Sequence, residues 1–184
     1  CAWIDYDADG RLDLFTTNHL PPNKLFRNRP DGYFEDVAPR AGISNPVDIF
    51  GATWADYDRD GFLDVFLNGH IGSALMRNNG NNNHSVTLKL IGDGIKSNKS
   101  AIGSRVVLKA GGETQIREVS GGRGCCEQDM LPVYFGLGEN TTADIEVKWP
   151  SGKKCEFKDV SVSEASEYVV RELKCRMDPL EKSS

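Results

Sequence analysis

The chain has 184 residues, 39% of them hydrophobic, with a net charge of −5. That is enough apolar material for two small cores, and no apolar run approaches the ~20 residues that a membrane-spanning helix needs. The 22 Lys and Arg are dispersed rather than gathered into a basic stripe, which argues against nucleic-acid binding.

The first predicted element is an aspartate loop, Asp5-Tyr6-Asp7-Ala8-Asp9-Gly10-Arg11-Leu12-Asp13. The same Asp-x-Asp-x-Asp-Gly-x-x-Asp pattern returns 51 positions on as Asp56-Tyr57-Asp58-Arg59-Asp60-Gly61-Phe62-Leu63-Asp64. Four carboxylates in nine residues repel one another, so a folded loop of this kind calls for a cation. Hard oxygen donors in a crowded loop suit Ca²⁺ better than the strictly octahedral Mg²⁺. Asp5, Asp7, Asp9 and Asp13 are expected to supply side-chain oxygens and Arg11 its backbone carbonyl. In the second copy the same roles fall to Asp56, Asp58, Asp60, Asp64 and the carbonyl of Phe62. An EF-hand would close with Glu at the twelfth position, which here is Thr16 or Leu67. Its two helices are missing as well: Leu12 to Thr17 and Leu63 to Leu67 are rich in strand formers, so each loop reads as a tight turn entering a strand. Gly10 and Gly61 sit where such a turn requires positive φ.

The repeat is wider than the loop. Ala2-Trp3-Ile4 lines up with Thr53-Trp54-Ala55, and Lys24-Leu25-Phe26-Arg27-Asn28 with Ala74-Leu75-Met76-Arg77-Asn78 at an offset of 50. A period near 50 built of short strands and turns is that of a β-propeller blade, and propellers use ~4–8 blades. Residues 1–80 are therefore read as two blades, the first truncated, and the chain as the C-terminal piece of a longer protein. The run Asn78-Asn79-Gly80-Asn81-Asn82-Asn83 reads as the exit from the second blade.

Beyond it the pattern becomes strict alternation in Ser85–Leu90, Gly103–Lys109, Gln115–Val119, Val133–Leu137 and Ala143–Trp149, with Cys155–Val160 and Glu167–Leu173 as two further strands. Separated by glycine-rich turns, these predict a small antiparallel sandwich or barrel over residues 81–172. Residues 173–184 read as a frayed tail. The fold class is thus all-β throughout, incomplete propeller followed by β domain.

The stretch Phe50-Gly51-Ala52 to Asp64 resembles the FG-GAP repeat of integrin-α-like propellers. Ser97-Asn98-Lys99-Ser100-Ala101-Ile102-Gly103-Ser104-Arg105-Val106, then Phe135-Gly136-Leu137-Gly138, then Val147-Lys148-Trp149-Pro150-Ser151-Gly152 resemble the ASPIC/UnbV domain. In that order the two resemble the cartilage acidic protein family. The resemblance implies a secreted matrix glycoprotein, signal peptide and all, whose calcium-loaded propeller meets an extracellular protein or cell-surface receptor. It brings no catalytic residue, and it implies an EGF-like module where this chain has its tail. It departs at Gly124-Cys125-Cys126-Glu127-Gln128, where the family carries Gly-Tyr-x-Ser-Gln.

The five Cys fit an oxidising compartment in part. Adjacent Cys125 and Cys126 rarely bond to each other, and the available distant partners are Cys155 and Cys175. Three sequons, at Asn83, Asn98 and Asn140, lie in loop-like contexts. No Ser-His-Asp set, nucleophile elbow or phosphate loop can be read, so the chain is taken not to be an enzyme. A calcium-dependent carbohydrate-binding module is the alternative, and a propeller enzyme with residues elsewhere the remoter one. Trp149 is expected as core packing at a strand end rather than as a partner contact.

Overall fold

Short runs of β-branched and aromatic residues, punctuated by Gly and Asn, favour strands joined by tight turns. The computed structural model forms strands and no helix among the residues it describes, which are all except 19–21, 45–47, 71, 123–127, 164 and 181–184. Among the described residues no helix is long and apolar enough to cross a membrane. The first blade is an antiparallel sheet of β1 (Ala2–Ile4), β2 (Asp13–Thr16), β3 (Lys24–Asn28) and β4 (Phe34–Asp36), in that order. The second is β5 (Ile49–Ala55), β6 (Asp64–Gly69) and β7 (Ser73–Met76). Each aspartate loop is the connection between the first two strands of its sheet.

Period-two alternation decides what each blade buries. Ala2 and Ile4 point inward while Trp3 between them is exposed. Phe15 and Leu25 of the first blade share a core with Trp54, Val65 and Leu67 of the second. Phe15 and Trp54 meet edge to face at 5.3 Å, the arrangement that aromatic quadrupoles favour.

Among the described residues that follow, eight strands form a sandwich. They are β8 (His84–Ile91), β9 (Arg105–Ala110), β10 (Glu113–Glu118), β11 (Val133–Gly138), β12 (Thr142–Lys148), β13 (Lys154–Ser161), β14 (Ser166–Arg171) and β15 (Arg176–Pro179). One sheet runs β10-β9-β12-β13 and the other β11-β8-β14-β15. Val86, Leu88 and Phe135 from the second sheet pack against Leu108, Ile145 and Val147 from the first.

Two features differ from the expected antiparallel domain and frayed tail. β14 lies parallel to β8, and residues 176–179 form an edge strand on β14, with Leu180 N–H donating to the Glu167 carbonyl at 2.8 Å. A parallel neighbour needs a long crossover, which β9 to β13 supply. The tail's Pro179 is tolerated because it sits on a sheet edge.

The cysteine pairing also differs. Cys155 and Cys175 bond to each other across a Cα separation of 5.3 Å, and so are not partners for Cys125 and Cys126, which lie outside the described residues. Sequence separation hid this pairing: the start of β13 and the turn after β14 converge at one end of the sandwich. There Trp149 is buried, as expected of core packing, and its Nε1–H donates to Cys155 Sγ at 3.3 Å. Beside it the buried Glu172 carboxylate accepts from Ser97 Oγ at 2.9 Å, Ser151 Oγ at 2.5 Å and Asp93 N–H at 2.7 Å. That network ties three loops together.

Candidate metal centre

The two aspartate loops are wired alike. Asp5 Oδ1 accepts from Asp9 N–H at 3.0 Å and Oδ2 from Gly10 N–H at 2.9 Å, while Asp56 does the same with Asp60 at 3.1 Å and Gly61 at 2.9 Å. Asp13 accepts from Tyr6 N–H at 3.2 Å and Asn28 N–H at 2.7 Å. Asp64 accepts from Tyr57 N–H at 3.1 Å and Asn78 N–H at 2.7 Å. The first and last aspartates thus fold the turn by satisfying its backbone donors. Gly10 and Gly61 take φ of +91° and +96°, as expected, and Ala8 and Arg59 also enter the left-handed region.

Each loop gathers three of its four carboxylates. Oxygens of Asp5, Asp7 and Asp13 lie within 4.8 Å of one another, as do those of Asp56, Asp58 and Asp64. Asp9 and Asp60 stand outside these clusters. Asp9 Oδ1 accepts from Arg11 N–H at 2.9 Å, and its Oδ2 pairs with the Arg11 guanidinium. Asp60 accepts from Phe62 N–H at 3.1 Å and from Arg77 Nη2 at 2.7 Å.

The sequence reading aligned Arg27-Asn28 with Arg77-Asn78 but gave them no role. Arg27 Nε lies 2.7 Å from Asp7 Oδ2, and Arg77 Nε 2.5 Å from Asp58 Oδ2. Each following Asn donates its backbone N–H to the closing aspartate and its side-chain amide to the carbonyl before it: Asn28 to Leu12 at 3.1 Å, Asn78 to Leu63 at 3.2 Å. The offset of 50, read with the chemistry of an Arg beside an acidic loop, was the signal that could have found them.

The Asn run does more than leave the blade. Asn78 Nδ2 also donates to the Tyr6 carbonyl at 2.7 Å, and Asn81 and Asn83 donate to the Asp7 carbonyl at 2.7 and 2.8 Å. The second blade's exit therefore fastens the first blade's loop. The sequon at Asn83 is engaged here, with Ser85 Oγ buried and donating to the Gly61 carbonyl at 2.7 Å. Asn140 is half-buried and donates to the Leu137 carbonyl at 2.7 Å; Asn98 is exposed, and its amide donates to the Ile102 carbonyl at 2.8 Å.

Burial dominates the electrostatics. It pushes the Asp5 carboxyl well above the ordinary carboxylate range, helped by the charges of Asp9, Asp13 and Asp7. It raises Asp13 to about 7 against the opposing Asn28 hydrogen bond, and Asp56 to about 6. Asp7 and Asp64 are raised by burial too. The protein's own groups thus leave these charges undercompensated, as expected of ligands that hold a cation. The sharpest sign is Asp7 Oδ1, buried within the first cluster and without a hydrogen-bond partner. All the clustered donors are carboxylate oxygens, the hard set that fits Ca²⁺.

Residues 5–67 match the family described as FG-GAP-like repeat, and residues 94–175 match ASPIC and UnbV. The chain is 30% identical over 177 residues to "Cartilage acidic protein 1" of Mus musculus, an alignment covering 89% of this chain and 26% of that protein. It is likewise 30% identical over 166 residues to the Homo sapiens protein of that name, covering 81% and 24%. The chain spans about a quarter of the length of these relatives. The chain thus resembles an FG-GAP-like repeat over residues 5–67 and ASPIC and UnbV over residues 94–175, and is similar over most of its length to cartilage acidic protein 1.

Proposed function

We propose that this chain is the calcium-binding part of a secreted extracellular-matrix glycoprotein and acts as a structural or protein-interaction module rather than an enzyme. The observation that carries this reading is the clustering of Asp5, Asp7 and Asp13, within which Asp7 keeps a buried Oδ1 without a hydrogen-bond partner. Asp5, Asp7 and Asp13 would hold one ion, and Asp56, Asp58 and Asp64 a second. Asp9, Asp60 and the carbonyls of Arg11 and Phe62 are the remaining oxygens of the pattern. Calcium would rigidify each turn and the surface around it, where an extracellular protein or cell-surface receptor docks.

The relatives carry "cartilage" in their name, and a disulfide suits an oxidising compartment. Asn98 is the sequon we assign to a glycan. The buried ligands of the first loop do not suit a bridging sugar, which speaks against the carbohydrate-binding alternative.

Calorimetric titration of calcium into the chelator-stripped chain, with melting temperature followed in parallel, tests the reading. Two binding events and a matching stabilisation are the expected result. No heat and an unchanged melting curve would reduce the loops to acidic turns.

A further inference from the structure

The first loop is closed over by the sandwich, from a part of the chain more than a hundred residues away. Gly138 N–H donates to the Ala8 carbonyl at 2.9 Å, at a bulge in β11 between Gly136 and Gly138. Gly136 lies so close to Asp5 Oδ2 and the Ala8 backbone that a β-carbon there has no room. The Gly136 carbonyl accepts from Gln115 Nε2 at 2.7 Å, and the same amide lies 3.1 Å from where a β-carbon on Gly10 would stand. Together these contacts set β10 and β11 against the Asp5 carboxylate, while its cluster mate Asp7 keeps a buried Oδ1 without a hydrogen-bond partner.

We propose that the first cation site is completed by the C-terminal sandwich through Gly136 and Gln115, acting as positioning residues, so that cation binding and docking of the sandwich strengthen each other. The proposal rests on the calcium reading of the loops given above. Gly136 packs against the same Asp5 Oδ2 that accepts from the Gly10 N–H, so withdrawing β11 opens that carboxylate to water. Keeping Asp5 buried against β11, with the buried Asp7 and Asp13 carboxylates clustered beside it, is costly unless their charge is neutralised. A cation that removes this cost favours the docked state, and reciprocity requires the docked state to bind the cation more tightly by the same factor.

The test is a calcium titration of the full chain and its Gly136→Ala and Gln115→Ala variants, joined to hydrogen exchange of the Gly138 amide. The unaltered chain should show two sites, with calcium slowing exchange at Gly138. Gly136→Ala should weaken one site about tenfold or more and spare the other, within the ~5–150-fold usual for coupled sites. Gln115→Ala should weaken the same site less. In saturating calcium, Asp7→Asn should speed exchange at Gly138 and Asp58→Asn should leave it unchanged. If Gly136→Ala does not fold, the Gln115→Ala and Asp7→Asn arms decide. Two unaltered sites in a folded Gly136→Ala or in Gln115→Ala, or Gly138 exchange indifferent to calcium, would overturn the coupling while leaving calcium binding intact. A chain that takes up no calcium would remove both readings.

Discussion

The two aspartate loops share their hydrogen bonds and differ in what surrounds them. Around the first, Asp5, Asp7 and Asp13 are all buried; around the second, Asp58 is exposed, Asp56 half-buried and only Asp64 buried. The sandwich presses on the first loop through Gly136 and Gly138, whereas it meets the second at the Gly61 carbonyl, which accepts from Ser85 Oγ at 2.7 Å and from Tyr134 Oη at 2.8 Å, and at Arg59, whose Nε lies 3.8 Å from Glu167 Oε2. Identical motifs thus become a covered site and an open one. Motif spacing fixes the turn, and the docking of a distant domain fixes its dielectric surroundings.

The largest expected effect comes from setting Asp7→Asn beside Asp58→Asn. A ligand at a hundred times its dissociation constant stabilises by about 2.7 kcal/mol, or about 5–10 °C in a chain of this size. Asp7→Asn should abolish such a calcium-dependent rise for the first loop, and Asp58→Asn should remove a smaller one. Thermal melts in calcium and in chelator measure both, and equal losses would erase the distinction between covered and open sites.

The next effect is on pH. Asp13 titrates at about 7 and Asp56 at about 6, both above the roughly 3.9 of an unfolded aspartate. With folded values raised, the stabilisation from protonation is complete below about pH 4 and is lost as pH rises through 6 to 7. In chelator the chain should therefore melt at a lower temperature at pH 8 than at pH 5. Calcium needs the deprotonated oxygens, so its stabilisation should grow across the same interval, beginning at a lower pH for the second loop than for the first. Melting curves whose pH dependence is the same with and without calcium would contradict this.

Asn78→Ala should cost about 1–2 kcal/mol and loosen both loops, because its side chain serves Leu63 of the second blade and Tyr6 of the first. Asn28→Ala should affect the first loop alone. The smallest effect is that of Arg77→Ala on stability in chelator, since this pair is open to solvent.

Much of this was legible in the sequence. Period-two alternation marked β8 to β14, and the Gly positions marked the turns, because local sterics and burial on one face decide both. The clustering of Asp5, Asp7 and Asp13 followed from spacing. β15 was not legible, since Arg176-Met177-Asp178-Pro179 has no strand composition and forms only because β14 offers a free edge. Nor was the Cys155 to Cys175 pairing, which depends on which ends of two sheets converge. The cover on the first loop was hidden for the same reason: nothing local to Gly136 tells which surface it meets.

The parallel partnership of β8 and β14 has a kinetic side. β8 occupies the middle of its sheet, yet one of its two neighbours is made some eighty residues later, and pairing across so long a separation is entropically slow. During synthesis both blades would already be in place while β8 still waits for β14 with one edge bare. A chain released before residue 166 would keep that edge, and aggregation through it is the fate to expect of such a fragment.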